Sequence, residues 1–135
     1  GRDRRNAADG SRRGIRRRLV AVMRRGEVWV ANLNPNRGRE IGKVRPVLIL
    51  QNDEFIALHT GMVIVLPLTT QGRPQMHHFR PMIAGRGRLL KDSYVVVEQP
   101  RTLDRASIGE GPLTELTSEE LATVERSLAT ALGMA

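Results

Sequence analysis

The sequence predicts a mainly β domain, a small barrel or sandwich, closed by one C-terminal helix. Three observations predict it. Short apolar stretches of strand length recur between Gly- and Pro-containing breaks from Glu27 to Ala106. One stretch near the end has helical spacing instead, with Leu121, Val124, Leu128 and Leu132 on one face. The 135 residues, 40% hydrophobic and 27% charged, suffice for one modest core without a metal or disulfide staple.

Residues 1–22 show no periodic apolar pattern and are rich in Arg, Gly, Asp and Asn. They read as a disordered arm, or as a remnant ahead of a natural start at Met23, with residues 23–135 as the folded domain. Glu27 to Leu33 reads as a strand, and Asn34-Pro35-Asn36-Arg37-Gly38 is turn chemistry opening a polar loop that runs to Lys43. Arg45 to Gln51 is a second strand, whose apolar run Val47 to Leu50 suits a strand covered on both faces. Asn52 to Leu58 makes a short helical turn capped by Asn52 or Asp53. Met62 to Thr69 is a third strand, in which Pro67 argues for an edge position or a bulge near the end. Met76 to Ile83 is a weaker strand interrupted at Pro81, and Gly85-Arg86-Gly87 is a turn. Ser93 to Gln99 is a strong strand that Arg101 to Ala106 continues after a break at Pro100. The closing helix has Thr117 or Ser118 as N-cap, a capping box from Thr117 to Glu120, acids in its first turn, and Gly133 at its end.

The chain has no cysteine, which excludes a disulfide framework, a thiol redox motif and a thiolate zinc site. No apolar run approaches membrane-spanning length, and Leu19 to Met23 is too short for a secretory signal, so the expected location is the cytoplasm. The formal charge of +8 is unevenly placed. Residues 1–25 hold ten arginines against Asp3 and Asp9, which leaves 12 basic and 12 acidic side chains in residues 26–135. The folded part has no global field for a polyanion, so nucleic acid would have to be held in a local groove.

No phosphate-binding glycine loop, zinc-protease helix or nucleophile elbow is present. His77-His78 on a strand would point to opposite faces, one out and one partly buried, so the pair is not read as a metal site. Gly85-Arg86-Gly87-Arg88 is glycine-rich but leads into no helix. The stretch Gly38-Arg39-Glu40-Ile41-Gly42-Lys43-Val44-Arg45-Pro46 is more informative. Its glycines permit unusual backbone angles and close approach of a ligand, and Arg45 enters an otherwise apolar strand. Such an arginine pairs with an acid, snorkels or faces a groove, and Glu40 and Glu98 are both available as structural partners. The third strand ends in Thr69-Thr70-Gln71, two hydroxyls and an amide suited to phosphate or ribose.

Arg25-Gly26-Glu27-Val28-Trp29, Asn34-Pro35, and Gly38-x-Glu40 followed by Arg45-Pro46-Val47-Leu48-Ile49 resemble the signature of the MazF/PemK/Kid toxins. The resemblance continues through Pro67-Leu68-Thr69-Thr70, Glu98-Gln99-Pro100-Arg101-Thr102-Leu103-Asp104 and the last helix, over residues 23–133 in order. It implies an SH3-like β-barrel and a homodimer whose groove holds single-stranded RNA. It further implies sequence-specific cleavage without metal or other cofactor, to 2′,3′-cyclic phosphate and 5′-hydroxyl ends. The implied partner is a MazE-like antitoxin whose acidic, apolar C-terminal tail covers the same surface.

By the same resemblance Arg45 and Thr69 are the catalytic pair and Glu40 the base. Asn36, Arg37, Lys43, Thr70, Gln71, Arg73 and His77 are the expected RNA-binding residues. Two departures stand out. Val96 occupies the position where some members carry an arginine, so Glu98 is expected to lack that partner, and Ile41 replaces a common glutamine. Glu98, Gln99 and Arg101 read as structural or dimer-forming. Of the aromatic side chains, Trp29 belongs to a core strand, and base choice is expected from hydrogen bonds of the loops 34–44 and 71–79 with little stacking. A CcdB-like toxin that inhibits gyrase on the same barrel, and a plain RNA-binding barrel, are the competing readings.

Overall fold

A computed structural model describes residues 22–58 and 61–135. The expected N-terminal arm, apart from Val22, lies outside the described residues. The elements are β1 (Glu27–Asn32), β2 (Val44–Ile49), α1 (Asp53–Ala57), β3 (Met62–Thr69), β4 (Met82–Ile83), β5 (Ser93–Val95), β6 (Arg101–Asp104), β7 (Thr114–Glu115) and α2 (Ser118–Ala131). The strands pair antiparallel in the order β4-β5-β3-β2-β1-β7, and β6 pairs with β3. The expected class, mainly β with a C-terminal helix, is the observed one, a sheet curled into a half-barrel.

The curl originates at β3. Its first half, Met62 to Val65, pairs with β6, and its end, Leu68 and Thr69, pairs with β5. Pro67 falls in the handover between the two partners, where its missing N–H is not needed, while its carbonyl accepts from Val96 N at 2.9 Å. It therefore lies in a central strand opposite Val47, and the expected edge position is corrected. The alternation of β1, β2 and β3 divides their apolar side chains between two cores. Trp29, Val47, Ile49 and Val65 share one with Leu103. Val28, Leu48, Leu66 and Leu68 share the other with Val95 and with Val124 of α2. Both faces of β2 are thus covered, as its unbroken apolar run predicts.

Helix α2 starts with the expected capping box, in which Thr117 and Glu120 satisfy each other's backbone N–H. Gly133 ends it with φ of 74°. Leu121 and Leu128 pack on the core beside Val124, but Leu132 is the C-cap residue and is exposed. Helix α1 is capped by Asn52, whose side chain accepts from Glu54 N at 2.7 Å.

Three other expectations need correction. The weak strand from Met76 to Ile83 is a 3-10 turn at Pro74–Met76 followed by further turn, with Phe79 N and Arg80 N both bonded to Met76 O, and only Met82 and Ile83 pair. His77 and His78 are therefore not strand neighbours, and both are exposed. The strand from Ser93 ends at Val95, because Val97 N and Gln99 N turn back to Val95 O and Val96 O. Residues 105–107 form a 3-10 turn capped by Asp104 rather than more strand.

Candidate active site

Strand register alone builds the first part of the site. Val47 lies opposite Pro67 in the β2–β3 pair, so the same register carried two residues further sets Arg45 opposite Thr69. Directly opposed residues share a face, with Cβ atoms about 4.5–5.5 Å apart. Thr69 in turn lies opposite Tyr94 of β5. Arg45, Thr69 and Tyr94 therefore form a row across three strands, on the face that Val47 and Val65 fill with core. The polar row begins where that apolar layer stops.

An open cleft of about 390 Å³ lies there, lined by Arg39, Ile41, Arg45, Thr69, Gln71, Arg73, Gln75, Met76, Arg80 and Gln99. The sequence-predicted pair Arg45 and Thr69 is brought together in it, with Gln71 and Arg73. Arg45 is half-buried, and its Nε donates to Gly42 O at 2.9 Å. Its terminal nitrogens have no partner among the described residues, and it pairs with neither Glu40 nor Glu98. The structural ion pairs open to it in the sequence are not made. Thr69 is 8% exposed, and its Oγ1 accepts from Gln71 N at 3.2 Å, which leaves the hydroxyl proton available.

The other sequence-predicted residues lie outside the cleft wall. Glu40 is exposed on the β1–β2 loop, where its Oε1 accepts from Arg37 N at 2.9 Å. Its neighbours Arg39 and Ile41 line the cleft while Glu40 does not. Asn36 donates to Glu40 O at 3.3 Å, and Lys43 N donates to Asn34 Oδ1 at 2.9 Å. Arg37, Lys43 and Thr70 are exposed. Gly42 is approached by the loop itself rather than by open space for a ligand: a Cβ there would meet Asn36 Oδ1 at 2.4 Å. His77 stacks nearly parallel on Tyr94, with ring centroids 6.2 Å apart and an interplanar angle of 7°. An aromatic pair thus lies beside Thr69.

The loop is held from behind. Gln99 Oε1 accepts from Ile41 N at 2.9 Å, and Arg101 donates to Ile41 O at 3.0 Å and Leu33 O at 3.1 Å. This is the structural role expected of Gln99 and Arg101. Ile41 packs on the core and also lines the cleft, so the departure from glutamine bears on both the loop packing and the cleft wall.

Sequence reasoning missed Arg80. It is 9% exposed, lines the cleft and is bound through Nε and Nη2 to Glu98. Glu98 thus lacks the arginine that some members carry at position 96, as expected, yet it has an arginine partner. Val96 does not supply one, but the segment before β4 does. Arg80-Pro81 repeats the dipeptide Arg45-Pro46, a signal present in the sequence. Among the described residues no group of His, Cys, Asp and Glu is arranged to hold a metal ion.

Four arginines and no carboxylate on the wall of one cleft, set in a small curled sheet, define a class of protein that holds a polyanion. The chain belongs to the PemK-like, MazF-like toxin family of type II toxin–antitoxin systems, whose model matches residues 24–132. Endoribonuclease MazF of Staphylococcus saprophyticus is 34% identical over 114 residues, covering 84% of this chain and 93% of that protein. The crystal structure of MazF from Deinococcus radiodurans superposes with a TM-score of 0.73 at 26% identity, covering 85% of this chain and all of that one. An endoribonuclease from a mycobacterial species in complex with its cognate antitoxin gives 0.65 at 26% identity, covering 84% and 97%. None of these relatives supports the gyrase-directed alternative.

Proposed function

We propose that the protein is a sequence-specific endoribonuclease toxin that cleaves single-stranded RNA through the 2′-hydroxyl, with Arg45 and Thr69 at the scissile phosphate. One observation carries this reading. Arg45 is a half-buried cation without an acidic partner, facing the same cleft as a hydroxyl set opposite it by strand register. A cation held with its terminal nitrogens unpaired is expensive as structure and useful for binding an anion.

The chemistry follows from the groups present. Attack of the 2′-oxygen on phosphorus breaks the bond to the 5′-oxygen, which leaves with the bonding electrons and takes a proton from solvent, giving a 2′,3′-cyclic phosphate and a 5′-hydroxyl. Charge on the non-bridging oxygens rises along the way. The planar fork of Arg45 and the hydroxyl of Thr69 stabilise it, and Gly42 O fixes the edge of the guanidinium. Glu40 is assigned the base that takes the 2′ proton. Its Oε2 has no partner among the described residues, and it stands between two residues of the cleft wall. Gln71 and Arg73 on the wall, with the exposed Asn36, Arg37, Lys43, Thr70 and His77, bind the flanking nucleotides.

The partners follow from the same surface. A cleft of arginines complements the acidic tail of a MazE-like antitoxin, which excludes RNA by occupying it. Val44, Met62 and Ile64 are exposed apolar side chains on the sheet and support a homodimer. No helix among the described residues is long and apolar enough to cross a membrane. A cytoplasmic site of action goes with the proposed RNA substrate.

The test is cleavage of defined single-stranded RNA by pure protein in the presence of a chelator. Cuts at a recurrent short motif are expected, and Arg45→Ala should lower the rate by roughly 10²–10³. Undiminished cleavage by Arg45→Ala would remove that residue from the mechanism. Gyrase inhibition with intact RNA would overturn the whole reading.

A further inference from the structure

We infer that Arg80 is a second RNA-binding cation of the cleft, and that Glu98 is the residue that positions it. This deepens the ribonuclease reading and rests on it. Arg80 is reached from outside the sheet: the turn after Pro74–Met76 ends with Arg80 N bonded to Met76 O, and Pro81 then leads into β4. Its side chain is buried yet lines the same wall as Arg45 and Thr69. Nε lies 3.3 and 3.1 Å from the two oxygens of Glu98, and Nη2 also bonds Oε2.

That geometry divides the guanidinium. One edge is occupied by the carboxylate, and Nη1 has no partner among the described residues. A cation needed only as a staple would be expected to satisfy its buried donors within the chain. Arg80 instead keeps one nitrogen unspent on the wall of a cleft that contains no carboxylate. Glu98 fixes the plane of the fork, so less side-chain freedom is lost when an anion arrives. Arg39 and Arg73 line the cleft without such an anchor, so Arg45 and Arg80 are the two preoriented cations in it. In this reading Arg45 takes the scissile group and Arg80 a neighbouring phosphate of the same strand.

The test compares wild type with Arg80→Gln, Arg80→Lys, Glu98→Gln and Arg45→Ala. Three quantities are read: kcat and KM on a defined RNA, the salt dependence of Kd for the same RNA with a 2′-deoxy sugar at the cleavage site, and Tm. Arg80→Gln should weaken binding of the uncleavable RNA roughly tenfold. The slope of log Kd against log salt should fall by about 0.7, the value for one phosphate contact on a single strand. Arg80→Lys should keep the salt slope and lose kcat. Glu98→Gln should keep the salt slope, weaken binding roughly a few-fold and lower kcat, because the charge remains while its orientation is released. If Arg80→Gln lowers Tm but leaves Kd, slope, kcat and KM at wild-type values, Arg80 is a staple and the inference is overturned. If Arg80→Gln does not fold, Arg80→Lys and Glu98→Gln decide: lowered Tm with unchanged kcat in both overturns it, and lowered kcat in both upholds it. Arg45→Ala keeps the two readings apart, since full cleavage by that variant defeats the parent site whatever Arg80 does.

Discussion

At Thr69 a hydroxyl occupies a place where an apolar side chain would pack at least as well. The residue is 8% exposed and follows a strand segment of Val65, Leu66, Pro67 and Leu68, all buried. Among the described residues the only hydrogen bond of its hydroxyl is the one it accepts from Gln71 N. Replacing it by valine conserves the branched shape and removes the group assigned to the phosphate. Thr69→Val is expected to keep or raise Tm, while single-turnover cleavage falls by about 10². A variant that melts as wild type and cuts as fast would show the hydroxyl to be idle. At Arg45 the demand is for shape as well as charge. Arg45→Lys keeps a cation but loses the fork that spans two phosphate oxygens and the Nε bond to Gly42 O. It should bind uncleavable RNA with nearly the wild-type salt slope and still cut poorly, which separates orientation from charge in one measurement.

Among the elements, the β1–β2 loop and the start of α2 bear the clearest consequences. Gly42 supplies the carbonyl that holds Arg45, and a methyl group there would meet Asn36 Oδ1 at 2.4 Å and Asn34 Oδ1 at 2.9 Å. Asn36 is exposed and can move, whereas Asn34 Oδ1 is held by Lys43 N, so Gly42→Ala should cost about 1–2 kcal/mol of stability. Cleavage should fall as the carbonyl shifts, which a paired melt and rate assay would detect. At α2, Arg86 bonds both carboxylate oxygens of Glu120, at 2.9 and 2.6 Å, and also Glu115 O at 3.1 Å, so it ties the β4–β5 turn to the helix start. The hydrogen bond to Arg86, aided by the cap at Thr117, holds Glu120 below the ordinary glutamate range. A depressed carboxylate stabilises the fold above its unfolded-state value, and the contribution disappears as pH falls through the folded one. Glu120→Ala should therefore cost about 1–2 kcal/mol at neutral pH and progressively less in acid, read as converging melting curves. These elements also mark the limits of the sequence. The strands Glu27–Asn32 and Met62–Thr69, the cap at Thr117 and the Arg45–Thr69 pair were legible, because apolar alternation, capping chemistry and family motifs are local. The two-residue strands β4 and β7 were not, since pairing alone defines them. Arg80 escaped because its meaning depends on Glu98, eighteen residues away, and on a turn that the strand reading of residues 76–83 concealed.

For the whole molecule the decisive feature is how charge is divided. Residues 26–135 are balanced at 12 basic and 12 acidic side chains, yet the cleft wall gathers four arginines and no acid. The acids lie elsewhere: Glu98 behind Arg80, Glu120 on Arg86, Glu125 on Arg25 and Glu110 near Arg88. Net charge therefore says little about the folded part, whose field is local, whereas residues 1–22 hold eight arginines and would act on any polyanion without regard to sequence. The two sources are separable. A protein beginning at Met23 should cut at the same RNA motif with the same single-turnover rate at saturating substrate, because motif and chemistry belong to the cleft. Its affinity for unrelated single-stranded RNA should drop at low salt, and the log–log salt slope should flatten by about 0.7 for each phosphate the arginines had neutralised. A changed cleavage motif in the shortened protein would place part of the reading surface in the N-terminal residues and contradict this division. Unchanged affinity and slope would show that those arginines do not reach RNA at all.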